Sequence, residues 1–320
     1  MKAIVYRKYG APDVLKCEEI EKPAVHDNEV LIKVRAASLN PLDWRLMRGT
    51  PYFIRMGMGL RKPKEMRAGR DVAGEVEAIG SKITLFKPGD GVFGVCVGAL
   101  AEYACGSESK LAIKPNSLSF DEAASIPIAG LTALQGLRDM GQIQPGQKVL
   151  VNGAAGGVGT FAVQIAKSFD AHVTGVCSTG NAALLRAIGA DHVIDYTQED
   201  FTKSKERYDL ILDNVGNHPL SAYRRVLNPH GKLVMVGAKN ITVLLLRALQ
   251  ARVLSWFVSQ RLGFLVARLT NKDLAKMGEL FEAGKVKPVI DRRYPLIDVP
   301  RAIAYLEEGH AHGKIVITPN

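Results

Sequence analysis

Four glycines between a strand pattern and a helix pattern are the strongest chemical signal in the sequence. Gly153, Gly156, Gly157 and Gly159 lie in the stretch KVLVNGAAGGVGTFAVQIAK, residues 148–167. A diphosphate can approach backbone N–H groups only where side chains are small, and a helix N-terminus offers unpaired donors and partial positive charge. The spacing is GxxGxxG and not the strict GxGxxG, but the required strand and helix are both present. The stretch therefore predicts a dinucleotide-binding turn.

The end of the next predicted strand bears on which dinucleotide binds. In NAD-binding domains an Asp or Glu about 20 residues past the glycine loop holds the ribose hydroxyls. Here the strand His172–Cys177 meets Ser178, Thr179, Gly180 and Asn181, so the expected acid is missing. A carboxylate would repel a 2′-phosphate, whereas hydroxyl and amide groups accommodate one, and the sequence therefore favours NADPH. Ser178 and Asn181 are also common helix caps, a role that can coexist with phosphate binding.

The hydrophobic pattern predicts an α/β fold with two domains. Residues 1–122 show short β-branched or alternating runs separated by turn signals, which indicates a twisted, partly antiparallel β-domain. From about residue 123 strand-like runs alternate with helical periods, which indicates a doubly wound parallel sheet of the Rossmann type over 123–289. A closing strand at Lys314–Thr318 predicts that residues 290–320 return to complete the first domain. Within the β-domain, the stretch 48–67 has no clear period.

Composition and hydropathy narrow the class of protein. Apolar residues make up 47% and charged residues 23% of 320, which is ordinary for a soluble globular chain. The start MKAIVYRKYG lacks a long apolar run, which argues against a secretory signal and predicts a cytoplasmic protein. Arg247, Arg252, Arg261 and Arg268 interrupt the apolar window 241–269. We interpret this window as buried or partner-facing and not transmembrane, with a dimer interface as its simplest role.

Neither the cysteines nor the net charge indicates a specialised site. Cys17, Cys96, Cys105 and Cys177 show no CxxC or His-rich spacing, so we expect reduced structural thiols. The net charge of +10 permits contact with nucleic acid or an anionic membrane, but no recognition motif accompanies it. Part of the charge is concentrated in residues 45–70, where a basic rim beside an anionic cofactor and a solvated loop stay open as alternatives.

Several motifs together resemble one known family over nearly the whole chain. They are SLNPLDWRLMRG (38–49), AGRDVAGEVEAIG (68–80), KPGDGVFG (87–94), AEYAC (101–105), SIPIAGLTALQGL (125–137), the glycine loop, VCSTGN (176–181), IGADHVIDY (188–196) and GHAHGKIVIT (309–318). This set resembles the zinc-independent quinone oxidoreductase branch of the medium-chain dehydrogenase/reductases. The resemblance implies a GroES-like β-domain followed by a Rossmann domain, and a homodimer.

The resemblance also implies cofactor roles for individual residues. Asn40 and Thr132 would contact the nicotinamide, and the diphosphate would be held by Ala155, Gly156, Gly157 and Val158. The adenosine 2′-phosphate would be contacted by Ser178, Asn181 and Tyr196. The ribose and nicotinamide would be flanked by Asn214, Val215, Val236 and Gly237, with Lys314 nearby. The structural alternatives are a helix hydroxyl for Thr132, a strand-end aromatic for Tyr196 and a core side chain for Val236.

The metal ligands of zinc-dependent relatives are missing, and this absence sets the predicted chemistry. Those relatives carry a Cys in the SLNPLD segment, GHE where this chain has Gly69-Arg70-Asp71, a Cys near Ile128 and Ala129, and a four-Cys lobe. A catalytic zinc needs about three protein ligands, so we expect no metal. Without a Lewis acid the substrate must itself be electrophilic. We therefore expect hydride transfer from NADPH to a small-molecule quinone or α,β-unsaturated carbonyl.

The sequence leaves alternatives for the identity of the proton donor and for the function. Tyr52 is the candidate donor or carbonyl partner, because related enoyl-thioester reductases use a tyrosine just after the NPxD segment. The offset is one residue longer here, and an exposed loop aromatic is the alternative. Asp43 resembles a turn carboxylate more than a base. The rivals are an enoyl-thioester reductase and an RNA-binding or partner-binding protein that keeps the cofactor fold; neither a membrane nor a nucleic acid is the expected partner.

Overall fold

The computed structural model describes residues 1–237, 247, 249–251, 253–254 and 258–319. The chain divides into two compact units. Unit 1 comprises Met1–Ala129, Leu269–Gly284 and Pro288–Asn320, and unit 2 comprises Gly130–Arg268 and Lys285–Lys287.

These bounds differ from the predicted ones at residues 288–289 and in two longer segments. The sequence pattern put 123–129 and 269–284 into the second domain, whereas the structure places both with unit 1. The amphipathic helix that begins at Asn271 buries Leu274 and Met277, and its Gly278 lies against Pro115 of unit 1. An apolar stripe predicts that a helix is packed but does not identify its packing partner. The sequence therefore could not assign this helix to a unit.

The strands of the described chain are β1 (Lys2–Val5), β2 (Lys16–Glu19), β3 (Glu29–Leu39), β4 (Asp71–Ile79), β5 (Gly91–Val95), β6 (Tyr103–Ser107), β7 (Leu111–Ile113), β8 (Lys148–Asn152), β9 (His172–Cys177), β10 (His192–Asp195), β11 (Tyr208–Asp213), β12 (Leu227–Met235), β13 (Arg261–Phe264), β14 (Ile290–Pro295) and β15 (Lys314–Thr318). Its α-helices are α1 (Pro41–Arg48), α2 (Arg55–Met58), α3 (Phe120–Ser125), α4 (Pro127–Gln135), α5 (Gly157–Ser168), α6 (Ala182–Ala187), α7 (Leu220–Arg225), α8 (Asn271–Glu282) and α9 (Val299–Glu307).

Unit 1 is built on a largely antiparallel sheet with β3 at its centre. The strand order is β14-β15-β3-β4-β5-β7, and β6 pairs with the first half of β3. The second half of β3 pairs with β15, so that Ile315 lies opposite Leu39. This register brings the C-terminal strand beside the start of α1. The position of Lys314, one residue before Ile315, follows directly from it.

Unit 2 contains a six-stranded parallel sheet in the order β10-β9-β8-β11-β12-β13. Its inner strands are almost continuously apolar and buried, as expected where helices cover both faces. The predicted fold class, a β-domain followed by a parallel sheet of the Rossmann type, is confirmed. Strand order reverses between β8 and β11, and ligands of such sheets bind beyond the carboxyl ends of the strands at this switch point.

The stretch 48–67 contains local structure that the sequence pattern did not predict. A 3-10 turn at Tyr52–Ile54 leads directly into α2. The Arg55 guanidinium stacks on the rings of Tyr9 and Tyr52, and the Tyr9 hydroxyl donates to the Gly59 carbonyl at 2.7 Å. These contacts are long-range or polar, so they leave no hydrophobic period to detect.

Residues 241–246, 248, 252 and 255–257 of the apolar window 241–269 lie outside the described residues, and the prediction of a dimer interface falls partly on them. In its described part, Arg261–Phe264 form β13, which pairs in parallel with β12 at the edge of the unit 2 sheet. No helix in the described ranges combines the length and apolar character needed to span a bilayer.

The close approach of α5 to the end of β8 generates a stability prediction. A Cβ on Gly159 would lie 2.2 Å from the Gly153 carbonyl oxygen and 2.6 Å from Ala154 Cα, both backbone atoms. We expect Gly159→Ala to lower the free energy of unfolding of unit 2 by about 3 kcal/mol, because overpacking against backbone cannot relax. Gly180→Ala, which meets nothing within 4 Å, is the control and should change stability by less than about 0.5 kcal/mol. Chemical denaturation of both variants measures the difference, and equal stabilities would contradict the packing argument.

Candidate functional site

The glycine loop after β8 makes a turn that only small residues can form. Gly153 has a φ of +73°, a conformation that residues with a side chain rarely adopt, and a Cβ there would lie 2.6 Å from Val215 Cγ2. The chain then passes Ala155 and reaches Gly156, the N-cap of α5. The sequence-predicted residues Ala155, Gly156, Gly157 and Val158 thus form the entry to this helix.

The N-terminus of α5 carries backbone donors that the helix itself does not use. Thr160 N–H donates to the Gly156 carbonyl at 2.9 Å, so the N–H groups of Gly157, Val158 and Gly159 precede the first intrahelical bond. The N-cap is a glycine, and no side chain of the described residues caps these donors. Together with the helix dipole they favour an anion, and a diphosphate has the charge and the acceptor oxygens to fit.

The carboxyl ends of β11 and β12 bring the remaining nicotinamide-side candidates to the same edge of the sheet. Asn214 Nδ2 donates to the Asn152 carbonyl at 3.0 Å, while its Oδ1 is buried and has no donor among the described residues. Gly237 lies so close that a Cβ would be 2.4 Å from the Asn214 carbonyl oxygen, and Val236 N–H donates to the Asp213 carbonyl. A ribose hydroxyl or a carboxamide N–H would satisfy the orphaned Asn214 oxygen. The residues at this edge therefore fit a nicotinamide dinucleotide.

A buried polar group at the switch point was missed by the sequence reasoning. Asn152 Nδ2 donates to Asp213 Oδ1 at 2.8 Å, and the same oxygen accepts from the N–H groups of Val215 and Gly216. Burial and the Asp213 carboxylate raise the pKa of Tyr223 far above its ordinary value. This group fixes the turn that carries Asn214 and Val215. A polar residue ending each of two buried strands, Asn152 and Asp213, was the signal available in the sequence.

The corner beside the end of β9 brings together the predicted residues and an acid that was not predicted. Asn181 Nδ2 donates to Ser178 Oγ at 3.0 Å, and the exposed Tyr196 is joined to β9 through its N–H to the Cys177 carbonyl. No acid follows β9 itself, but Asp195 ends the neighbouring strand β10, opposite Cys177. The acid was missed because it lies on β10 and not on β9.

The Asp195 carboxylate is already engaged by hydroxyl groups. Thr179 Oγ1 donates to it at 2.5 Å, and the N–H and Oγ1 of Thr197 donate at 2.9 and 2.8 Å. The hydrogen bond from Thr179 is the main reason that the pKa of Asp195 lies below its ordinary value. Burial, with a contribution from Asp195, raises the pKa of the Cys177 thiol to about 11, so this cysteine is a neutral core residue.

In unit 1 a buried ion pair organises the candidates Asn40 and Lys314. Lys314 Nζ donates to the Leu39 carbonyl at 3.0 Å and to Asn40 Oδ1 at 2.7 Å, and lies 3.3 Å from Asp71 Oδ2. Asp71 is fully buried and also accepts from Asn40 Nδ2 at 2.8 Å and from Ser38 Oγ at 3.0 Å. The structure thus brings Asn40 and Lys314 together, as groups held inside a satisfied network.

Asp43 lies beside this network and has one oxygen without a partner. Its Oδ2 accepts from the Asn40 N–H at 2.7 Å, and its Oδ1 is buried with no hydrogen bond among the described residues. Burial raises the pKa of Asp43 to about 7. The carboxyl therefore stabilises the start of α1, consistent with the prediction of a structural carboxylate.

Tyr52 and Thr132 are the two remaining residues named from the sequence. Tyr52 lies on the 3-10 turn with 73% of its surface exposed, and its ring stacks on Arg55 and not on the Asn40 network. Thr132 is buried on α4, in unit 2. Within the described ranges no group of three or more His, Cys, Asp or Glu side chains could hold a metal ion.

Comparisons with known proteins agree with this architecture. A family model described as "Alcohol dehydrogenase GroES-like domain" matches residues 26–116, and one described as "Zinc-binding dehydrogenase" matches residues 188–317. The chain is 36% identical over 99% of its length to the "NAD(P)H oxidoreductase RTN4IP1, mitochondrial" of Bos taurus, of which the match covers 89%. The chain belongs to the medium-chain dehydrogenase/reductase superfamily, in its zinc-independent quinone oxidoreductase-like branch.

Further members of this superfamily match over the whole of this chain. The "NADPH-dependent alkenal/one oxidoreductase, chloroplastic" of Arabidopsis thaliana is 36% identical over all of this chain and 80% of its own. The solved quinone oxidoreductase of Coxiella burnetii is 33% identical, with a TM-score of 0.88 over 100% of this chain and 99% of its own.

The buried carboxyl of this reductase-family chain generates a pH prediction. Asp43 keeps its proton up to about pH 7 in the folded state, against an ordinary value of 3.8, so the folded protein binds more protons between these values. Its unfolding free energy should therefore fall as pH rises, by about 1 kcal/mol between pH 6 and 8. Asp43→Asn keeps an acceptor for the Asn40 N–H and should remove this part of the pH dependence.

The control for Asp43 is Asp13→Asn, which removes an exposed carboxylate from the same unit. Denaturant titrations at pH 6, 7 and 8 compare the three proteins. A wild-type protein whose stability changes with pH in parallel with that of Asp43→Asn would show that Asp43 is already ionised at pH 6.

Proposed function

We propose that this protein is a zinc-independent oxidoreductase that uses NADPH to reduce quinones or α,β-unsaturated carbonyls by hydride transfer. The observation that carries the proposal is the uncapped N-terminus of α5 beside the orphaned Asn214 Oδ1, at the switch point of a parallel sheet. Both features offer unused hydrogen-bonding capacity where this fold binds dinucleotides. The family membership supports the same assignment.

The residues of unit 2 would bind and orient the cofactor, which when bound supplies the hydride. The N–H groups of Gly157, Val158 and Gly159 would hold the diphosphate, and Asn214 Oδ1 would accept a hydrogen bond from the ribose or the carboxamide. Val215, Val236 and Gly237, which border Asn214, would limit the space left for water. Orientation and exclusion of water are the main contributions a protein makes to hydride transfer.

The preference for NADPH is proposed from the corner at the end of β9. Ser178 and Asn181 are short polar groups hydrogen-bonded to each other, and they would turn to a 2′-phosphate at little cost. The nearby carboxylate of Asp195 is held by Thr179 and Thr197 and so is less available to a ribose hydroxyl. A relative named as NADPH-dependent at 36% identity supports this preference.

The substrate class is proposed from the chemistry of the site and from the relatives' names. The described residues offer no metal-binding set, so the proposal assigns the polarisation of the carbonyl to side chains and requires a conjugated acceptor. The names of two relatives refer to alkenals and alkenones and to quinones, which are such acceptors. A cytoplasmic location and a homodimer belong to the same proposal; light scattering tests the latter.

A substrate panel tests the proposed reaction. We expect oxidation of NADPH with 1,4-benzoquinone and with a simple enone, at rates unaffected by a chelator, because no metal takes part. Faster turnover of an enoyl thioester, with a strong loss of rate in Tyr52→Phe, would support the enoyl-thioester reductase instead. Activity abolished by the chelator would contradict the metal-free chemistry, and no turnover of any acceptor would contradict the function.

A single added carboxylate tests the cofactor preference. We expect Ser178→Asp to weaken NADPH binding about tenfold or more, because the new charge repels the 2′-phosphate, while NADH binding is kept. Ser204→Asp adds the same charge on an exposed turn of unit 2 and is the control. Calorimetry with NADPH and NADH measures the ratio of their dissociation constants. A wild-type preference for NADH would contradict the assignment of NADPH and leave the rest of the proposed function standing.

A further inference from the structure

Unit 1 contains a cavity of about 690 Å³ whose lining residues all belong to that unit. Apolar side chains form much of its wall, among them Leu42, Val95, Ile128 and Leu269. Pockets for small organic molecules have this composition, an apolar wall with a few polar groups that set orientation. The polar group of most interest here is Arg70.

The backbone that carries Arg70 is firmly held. Its carbonyl accepts a hydrogen bond from Cys96 N–H at 2.9 Å, and the next residue is Asp71, the fully buried centre of the network with Asn40 and Lys314. The cavity wall is continuous with this network, since Ile128 lines the cavity and its N–H donates to Asp71 Oδ1 at 3.2 Å. The root of the Arg70 side chain is therefore fixed beside the cavity.

Arg70 is a half-buried residue, and in the described part of the chain its side chain has no hydrogen bond and no ion pair within contact distance, although Asp43 and Glu65 attract it electrostatically. The neighbouring Arg67 differs, because its guanidinium forms two hydrogen bonds with Glu65, at 3.0 and 3.2 Å. Glu65 also lines the cavity, but its carboxylate is thus taken by Arg67. A guanidinium shielded from water without a compensating acceptor is unfavourable, and a ligand oxygen would relieve this cost.

Two other groups that could bind a substrate oxygen are engaged elsewhere, and Lys110, which also lines the cavity, is exposed to water. Lys314 has three acceptors for its three N–H groups. Tyr52 is exposed and stacked on Arg55. Arg70 thus combines charge, an open donor fork and a position in an apolar cavity.

We propose that Arg70 binds the carbonyl oxygen of the electrophile in this cavity and stabilises the negative charge that develops on it. This inference rests on the proposed function and adds to it the group that takes the role of an electrophilic catalyst. Planar guanidinium donors match the in-plane lone pairs of a quinone or enone oxygen. Donors directed at the site of developing charge are among the largest contributions to catalysis.

The charge that Arg70 meets follows from the balance of the reaction. A hydride from the reduced nicotinamide, which is thereby oxidised, forms a C–H bond at the β-carbon of the enone. The carbon–carbon π pair shifts toward the carbonyl carbon, the carbonyl π bond breaks, and its electron pair moves to oxygen. The resulting enolate takes one proton from solvent at the α-carbon to give the saturated ketone. The oxygen is neutral before the hydride arrives and anionic after it, so a cation there favours the transition state.

Arg70→Gln tests the proposal by steady-state kinetics. We expect kcat/KM for an enone to fall about 100-fold, with a smaller loss in Arg70→Lys, which keeps the charge without the fork. Lys87→Gln removes an exposed cation from a turn of unit 1 and is the control. NADPH binding by calorimetry and the thermal midpoint should match the wild-type values, which excludes unfolding as the cause.

A binding measurement without cofactor gives an independent readout. The phenolate of 4-nitrophenol resembles the enolate oxygen, and we expect the wild-type protein to bind it and lower its pKa by about one unit. The Arg70→Gln variant should lose this pKa shift. If that variant does not fold, Arg70→Met, whose side chain is of similar length, is used in its place. The absorbance of the phenolate measures the pKa of the bound nitrophenol in each protein.

The outcomes separate this inference from the proposed function. A wild-type protein that does not shift the nitrophenol pKa overturns the role of Arg70, as does an Arg70→Gln variant that is as active as an active wild type. A wild-type protein that shifts the nitrophenol pKa through Arg70 but reduces no acceptor with NADPH contradicts the proposed function and leaves the oxyanion site supported.

Discussion

The buried ion pair between Lys314 and Asp71 organises unit 1. The two residues are 243 positions apart, and their side chains are at most 3% exposed. A buried pair stabilises a protein only when its remaining donors and acceptors are satisfied, and here Ser38, Asn40 and the backbone supply them. Removing one partner would leave the other charged and buried, so the contact strongly favours the pairing of β15 with β3.

The same pair has consequences for the residues around it. It uses both ends of the Asn40 amide, which fixes the residue that precedes α1. It also takes the Asp71 carboxylate away from Arg70, the adjacent residue in the chain. The network stabilises the fold, while the Arg70 side chain has no hydrogen-bond partner among the described residues, which is the basis of the role proposed for it.

The sequence predicted the parts of the molecule that depend on local patterns. The glycine loop, the strands His172–Cys177 and Gly91–Val95 and the closing strand Lys314–Thr318 lie where apolar period and turn residues placed them. Such patterns reflect the burial of one face of an element, which is a property of consecutive residues. The site residues named from the family resemblance stay predictions, although the structure brings many of them to one edge of the sheet.

The features that the sequence did not predict all depend on contacts between distant segments. Helix α8 packs on unit 1 because of Pro115, and no period within the helix encodes that choice. Asp195 reaches Thr179 only because β10 pairs with β9, with Asp195 opposite Cys177. The Asn152–Asp213 bond likewise requires the parallel pairing of β8 with β11. In each case the residue type was visible in the sequence, but its partner was fixed by topology.

The position of Asp195 also shows why residue types alone do not determine whether the corner at the end of β9 favours NADPH or NADH. A carboxylate can accept hydrogen bonds from ribose hydroxyls or be saturated by its own neighbours, and its effect on a phosphate differs between the two states. Thr179 and Thr197 supply three donors to this carboxylate. Its acceptor capacity is therefore largely used, but its charge is not neutralised by hydroxyl groups. Discrimination between NADPH and NADH thus depends on two opposing free energies. One is the repulsion between the remaining negative charge of Asp195 and a 2′-phosphate, and the other is the hydrogen bonding that Ser178 and Asn181 can offer to it.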